Sequence, residues 1–413
     1  MADLETLLLC VTKDYEIQVG LPPRNHKDSF KKRANIVGKV DQIRNLACSP
    51  DGEIFCVRSG DLYRGPLPSK KDLDWFTVAR RVGKADWDKA ARLFFHPDGD
   101  LYCVTIRGEL YRGPQPDNEN KPWFYDQATK IGKKGWEYYF KLGFDPAGNL
   151  YSIYNNRLYT GPPPTDKNPE FQKTMLGVQG WSRLTGFLGV TKDNKLWAVD
   201  EHNGNIYRGD IPTPENLMYI YKADIVGFGF NNYRFLTFTK DKTIHSVISF
   251  EFLVEEGEVT SEKPHHLQTE DYANKDSNTP LRRTFTLSES VMDSSTFSHE
   301  HGFTFGVGME TTVTAGIPKV AEEKVKITMN MSTTNNWKLT ETNETTISYE
   351  SVTNVEVPPG KTVKVKSSVM KAQMNIPYKM IVRTIFGAEV EIRGTWKGVS
   401  HYNLSVIQED SDN

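Results

Sequence analysis

The sequence has no long apolar run. Its longest, Leu7–Val11, stops at five residues, far short of the roughly 20 that a membrane-spanning helix needs. The start lacks the basic segment and long apolar stretch of a secretory leader, so the chain reads as mature or leaderless: a soluble protein released without a visible signal peptide. Cysteine is scarce. Cys10, Cys48, Cys56 and Cys103 all lie in the first half. Cys56 and Cys103 each follow a turn glycine by four residues, where equivalent stretches further on have Ser152 and Ala198, which reads as small buried strand positions rather than a disulfide framework. The net charge is only −2, with 35 Lys+Arg against 30 Asp+Glu in residues 1–250 and 16 against 23 in 251–413. Neither half has the basic footprint of a nucleic-acid binder. Gly-x-Ser-x-Gly, His-Glu-x-x-His and phosphate-loop patterns are all missing, which argues against an enzyme. No cofactor or metal is implied either. His299 and His301 share a strand face without further ligands, so solvent exposure is the plainer reading, with an acid-triggered role open to them by residue type.

What is present is repetition. "DLYRGPLP" at 61–68 returns as "ELYRGPQP" at 109–116, "RLYTGPPP" at 157–164 and "NIYRGDIP" at 205–212, with Tyr63, Tyr111, Tyr159 and Tyr207 spaced by 48 residues. Each is preceded by a turn ("SPDGEIF", "HPDGDLY", "DPAGNLY", "TKDNKLW"), and a fifth turn, "TKDKTIH", follows at 239–245. Further upstream a glycine leads an aromatic by four residues: Gly83 and Trp87, Gly132 and Trp136, Gly177 and Trp181. Each unit therefore holds about four short strands, the content of one propeller blade. Five blades are expected over residues 1–250. The N-terminal "VTKDYEIQVGLPP" supplies the outer strand that the fifth unit lacks and so closes the ring without an open edge.

Units reading "DWFTVARRVGKADWDKAARLFFHPDGDLY" (74–102) and "PWFYDQATKIGKKGWEYYFKLGFDPAGNLY" (122–151) resemble tachylectin-2, a five-bladed propeller lectin family of invertebrate immunity. The resemblance implies binding of N-acetylated sugars between blades. Asp74, Trp75, Trp87, Trp123, Trp136 and Trp181 are the candidate sugar residues, since an indole face packs on the C–H face of a sugar while a carboxylate takes its hydroxyls. Core packing between blades is the competing reading, particularly for Trp87, Trp136 and Trp181. Phe30, Phe171 and Leu217 stand where the better copies have Trp75 and Trp123, so sugar binding is expected at the better-kept copies.

Residues 251–413 are a different object. From 284 to 353, 23 of 70 residues are Ser or Thr, and the pattern is of long strands without helix signals. Between Gly302 and Met331 the alternation runs unusually far. Phe303, Phe305, Val307, Met309, Val313, Ala315, Ile317, Val325, Ile327, Met329 and Met331 fall on one face, and Thr304, Glu310, Thr312, Thr314, Lys324, Lys326, Thr328 and Asn330 on the other, with a turn at Ile317-Pro318-Lys319. Either this is a long hairpin of a stable β-sandwich or it is a stowed membrane hairpin, its odd-numbered face for lipid and its even-numbered face for a water-filled lumen.

The Ser/Thr-rich flanks, the "VPPGK" turn at 357–361, the "IPY" strand at 376–378 and the closing hairpin near Gly387 together resemble the aerolysin-like β-pore-forming module. The fold expected is all-β: a five-bladed propeller over 1–250, then an elongated antiparallel module over 251–413. The resemblances imply a protein that binds cell-surface glycans, forms a homo-oligomeric ring on the target-cell membrane and inserts 302–331 as a pore hairpin. A multivalent lectin or agglutinin of innate immunity that never inserts is the alternative.

Overall fold

The computed structural model describes residues 6–411 except 28, 69, 70, 133, 214, 216, 217, 300–302, 307, 308, 310 and 322–325. The chain divides into two units: Met1–His245 with His301–Gly308 and Thr384–Ala388, and Ser246–Glu300 with Met309–Arg383 and Glu389–Asn413.

The first unit contains five four-stranded antiparallel sheets, the blades of a propeller. Four use consecutive chain, over 45–83, 90–132, 142–177 and 187–227. The fifth is composite. Tyr233–Lys240 is its innermost strand and pairs with Thr6–Thr12, which is followed by Glu16–Gly20 and Asn35–Lys39. The N-terminus thus supplies three strands of the closing blade, not the single outer strand expected, and "TKDKTIH" turns out of the ring instead of forming a blade hairpin. The apolar run Leu7–Val11 accounts for the difference. All five residues are fully buried, because Leu7, Leu9 and Val11 feed the core against one neighbouring blade while Leu8 and Cys10 feed the core against the other. A strand covered on both faces must be apolar throughout.

Hydrophobic clusters lie between successive blades, each containing an aromatic side chain from the repeat. Trp75 fills the first and Phe30 with Phe230 the last. Between them come the pairs Trp87–Trp123, Trp136–Phe171 and Trp181–Tyr219, with ring centroids 5.3, 5.7 and 5.3 Å apart. The glycine four residues before each loop indole is required by space. A Cβ at Gly83, Gly132 or Gly177 would lie 2.0–2.2 Å from the indole Nε1, so no larger side chain fits while the ring stays seated.

Late segments of the chain complete this unit. The buried carboxylate of Asp241 accepts hydrogen bonds from Thr384 Oγ1 (2.5 Å) and Phe386 N (3.1 Å), and Ile385 N donates to Thr243 O. Thr304–Phe305 pairs in parallel with Thr243–Ile244.

The second unit is built on a sheet of very long strands. Thr362–Thr384 and Glu389–Ser411, each 23 residues, pair along nearly their whole length. Leu281–His299 lies between Glu389–Ser411 and Asn343–Val357, and Glu258–Ala273 pairs along Thr362–Asn375. Inward alternation along Thr362–Thr384 is nearly unbroken, and Phe252, Phe297, Trp337, Tyr378 and Trp396 form an aromatic cluster on its inner side. After Thr304–Phe305 the chain folds Thr312–Ala321 against Lys326–Lys338 as a separate two-stranded sheet before Asn343–Val357 rejoins the long one.

Replacing Gly177 with Ala forces Trp181 off its site and should lower stability by about 1–3 kcal/mol; chemical denaturation of the variant against the parent measures this. A shift below the error of the extrapolation would show that the indole does not depend on the glycine.

Candidate functional site

The five candidate tryptophans are core residues. Trp75, Trp87, Trp123, Trp136 and Trp181 are 0–4% exposed, and the indole N–H groups of Trp75 and Trp123 donate at 2.8 Å to the Pro66 and Pro114 carbonyls. Their ring faces are spent on neighbouring blades, so a sugar cannot stack on them as the sequence suggested. Asp74 caps a one-turn helix, its carboxylate accepting from Phe76 N at 3.1 Å, rather than pairing with Trp75 at a sugar site.

The blade contact at Trp136 differs from the one before it. Phe171 takes the place that Trp123 holds against Trp87, and the smaller ring leaves a cleft of about 300 Å³. Its walls are Trp136 with Tyr138, Tyr139, Tyr154 and Phe171, and Lys134, Glu170 and Lys173 supply the charge. Lys173 Nζ donates to Tyr139 Oη at 2.9 Å and lies 4.7–5.0 Å from the ring centroids of Tyr139, Tyr154 and Tyr159. Aromatic walls, a held cation and a carboxylate in a monosaccharide-sized hollow match the general chemistry of sugar recognition. Tyr138, Tyr139, Tyr154 and Lys173, which line this cleft, were not among the residues the sequence singled out. The aromatic run "WEYYF" at 136–140, not repeated in the other units, was the available signal.

The candidate hairpin is shifted along the chain from its expected place. Ile317, Pro318 and Lys319 are paired strand residues opposite Asn330, Met329 and Thr328, and the chain reverses between Ala321 and Lys326. The legs therefore run 312–321 and 326–338. Phe303, Thr304 and Phe305 belong to the propeller unit instead. Val307, Glu310, Lys324 and Val325 lie outside the described residues.

Within the legs Val313 is buried and Ala315 and Ile317 half-buried, whereas Thr312 and Thr314 are exposed. A bulge follows Gly316, setting it opposite Thr334 while Ile317 faces Asn330. This reverses the parity, so Pro318 and Val320 become the buried positions. On the return leg Ile327 is buried and Met329 half-buried, Lys326 and Thr328 are exposed, and Asn330 is half-buried. Met331, read as apolar-facing, is 74% exposed at the bulge. Met309 precedes the first leg and is half-buried. The buried side chains Trp337 and Leu339 extend the apolar face beyond the expected end.

The seat is made of side chains. Ile327 Cδ1 rests where a Cβ on Gly257 would come within 2.9 Å, Lys326 pairs with Glu255 at 3.2 Å, and Trp337 packs on Phe252, Phe297 and Trp396. Among the described residues neither leg pairs with a third strand.

His299, expected to be solvent-exposed, is half-buried, with Nδ1 2.5 Å from Tyr378 Oη. Burial lowers its pKa, and burial together with His401 and Lys371 lowers that of His265. Burial raises that of Asp293 despite its 2.6 Å hydrogen bond to His401 Nδ1. Groups with lowered histidine pKa values bind fewer protons in the folded state, so their stabilising contribution is complete above pH 6.5 and is lost as pH falls through the native values. Asp293 acts in the opposite sense, between 3.8 and its raised native value. The thermal midpoint should therefore fall on acidification from pH 7 toward pH 5.5, and fall less in a His299→Gln variant. A midpoint that rises over that interval would overturn this assignment.

The family described as Tachylectin matches residues 10–235, and the family described as Clostridium epsilon toxin ETX/Bacillus mosquitocidal toxin MTX2 matches 221–408. No curated protein matches the chain. Among solved structures, a symmetrical protein from work on de novo evolutionary emergence under folding constraints is 27% identical, with TM-score 0.51 over 56% of this chain and 98% of that one. More distant are a lamprey immune protein (15% identity, TM-score 0.34, 76% of this chain and 87% of that) and an aerolysin-like protein of Bombina maxima (11%, 0.28, 40% and 97%). The chain belongs to the Tachylectin family and joins that lectin-type propeller to an aerolysin-like module of the ETX/MTX2 pore-forming-toxin type.

Proposed function

We propose that the protein is a glycan-targeted pore former: the propeller holds a sugar of a target membrane in the cleft beside Trp136, and the second module assembles on that membrane and inserts the 312–338 hairpin. The observation that carries this reading is the hairpin's isolation. Its ladder hydrogen bonds are internal, so leaving the seat breaks side-chain contacts but no described pairing with another strand. Re-burial in lipid returns much of the apolar contribution of Val313, Pro318, Val320, Ile327 and Trp337, roughly 1.5–3 kcal/mol for each large side chain. The legs of 10 and 13 residues reach the roughly 9–11 tilted residues needed to cross a bilayer. One hairpin alone would offer two unpaired edges to hydrocarbon at several kcal/mol per exposed group, so insertion requires several copies closed into a barrel.

Dye release from vesicles bearing an acetamido-sugar glycolipid tests the reading. Gly257→Cys with Ile327→Cys, oxidised, should fasten the hairpin to its seat and abolish release, and reductant should restore it. A parent protein that agglutinates these vesicles but never releases dye would instead be a multivalent lectin. For the cleft, Phe171→Trp fills the hollow and Tyr154→Ala removes a wall. Both should reduce retention on acetamido-sugar beads by at least about tenfold, each tenfold corresponding to about 1.4 kcal/mol. Unchanged retention of both would place the sugar elsewhere.

A further inference from the structure

Three residues of the cleft depart from the repeat in the same blade. The residue just before each blade's fourth strand is Ala34, Ala79, Ala128 and Ala223 in four blades and Lys173 in the blade of 142–177. Packing confirms the equivalence. A Cβ on Gly20, Gly65, Gly113 or Gly209 would come within 2.8–3.2 Å of those alanines, and a Cβ on Gly161 within 3.4 Å of the Lys173 Cα. The residue that closes the one-turn helix after the loop indole is Ala90 following Trp87 but Tyr139 following Trp136. The last residue of the second strand is Thr105 in the blade of 90–132 and Tyr154 in the blade of 142–177.

These departures meet in space. Lys173 Nζ donates to Tyr139 Oη at 2.9 Å and lies 5.0, 4.7 and 4.7 Å from the ring centroids of Tyr139, Tyr154 and Tyr159. The scaffold does not need this arrangement, because alanine fills the lysine's place in the other four blades. Tyrosine faces and a hydroxyl orient the ammonium but leave its charge uncompensated. Among the described residues no carboxylate pairs with Lys173 or with Lys134, the second cation of the lining. Glu170, the lining's carboxylate, is itself partnered and pairs with neither lysine. Both lysines are exposed, so a ligand in the cleft can reach them.

An ammonium has three donors, and Tyr139 takes one of those on Lys173. An anionic acceptor suits the others best, since a charge-assisted bond is roughly twice as strong as a neutral one. A neutral sugar would leave both cations unmatched. We propose that the cleft selects an acidic sugar, one carrying a carboxylate or a sulfate, whose ring lies against the tyrosines while Lys173 and Lys134 take its anionic group. The proposal rests on the reading that this cleft holds the sugar of a target membrane, and it names that sugar's class.

Retention is measured on beads bearing N-acetylneuraminic acid or N-acetylglucosamine 6-sulfate, each beside its uncharged counterpart, the methyl ester or plain N-acetylglucosamine. At least one acid should be retained about tenfold better than its counterpart, the effect of one hydrogen bond to a charged group, and which acid it is identifies the anionic group. Salt should weaken that retention and spare the counterpart. Lys173→Ala restores the residue that four blades already accommodate, so the ring should fold, and Lys134→Gln is the second variant. Lys173→Ala should remove the preference for the acid while changing retention of the counterpart by less than about twofold. Equal loss on both beads would make Lys173 a structural residue and overturn the proposal. Equal retention of acid and counterpart by the parent overturns it too. In that case Phe171→Trp separates the readings: loss on both beads keeps the cleft as a neutral-sugar site, and no loss on either removes the sugar from the cleft.

Discussion

A β-strand at the edge of a sheet carries a row of unpaired N–H and C=O groups, and the architecture of this chain follows from how each edge is treated. The propeller removes the problem by closing on itself. Its fastening strand, Thr6–Thr12, pairs on one side with Tyr233–Lys240 and on the other with Glu16–Gly20, so the two ends of a 240-residue circuit are held by one ladder. The second module leaves a two-stranded hairpin whose outer edges pair with nothing described. In water those edges are solvated at little cost. In hydrocarbon such edges must be paired, so the insertion proposed above requires copies to associate in the same event.

Packing between blades sets where the propeller surface is hollow. Tight pairs such as Trp87–Trp123 leave no hollow, and the glycines beneath the loop indoles let the rings sink fully into the contact. A cleft arises where the repeat is imperfect. Phe171 is smaller than the indole at the matching place, and the tyrosines around it were then free to face solvent. Repetition therefore builds the scaffold, and departure from repetition accompanies the cleft.

The strand-rich halves, the repeat and its five-fold count were legible because tyrosine spacing and turn chemistry are local and periodic. The tryptophans singled out as sugar residues lie buried for a reason of the same kind. A repeated tryptophan marks a repeated environment, and in a ring of blades the environment that recurs is the core. The hairpin's alternation was visible, but its register was not. Pro318 looked like a turn residue, yet it sits within a leg, and the bulge that begins at Met331, opposite the Gly316–Ile317 step, accompanies a move of the apolar face from odd to even positions on the first leg. Nothing within ten residues of Gly316 announces that shift, because a bulge is set by what the partner strand and the seat require.

The sequence by itself determined the all-β class, the blade repeat with its turns and glycines, and the amphipathic character of the region around 312–338, since each depends on residues close together in the chain. The tertiary structure alone decided three things. Three N-terminal strands close the ring, the indoles lie inside while Tyr138, Tyr139, Tyr154 and Lys173 surround the cleft, and the hairpin turns between Ala321 and Lys326. Each depends on volumes and hydrogen-bond edges contributed by segments far apart in sequence, and these are matched only when the chain has folded.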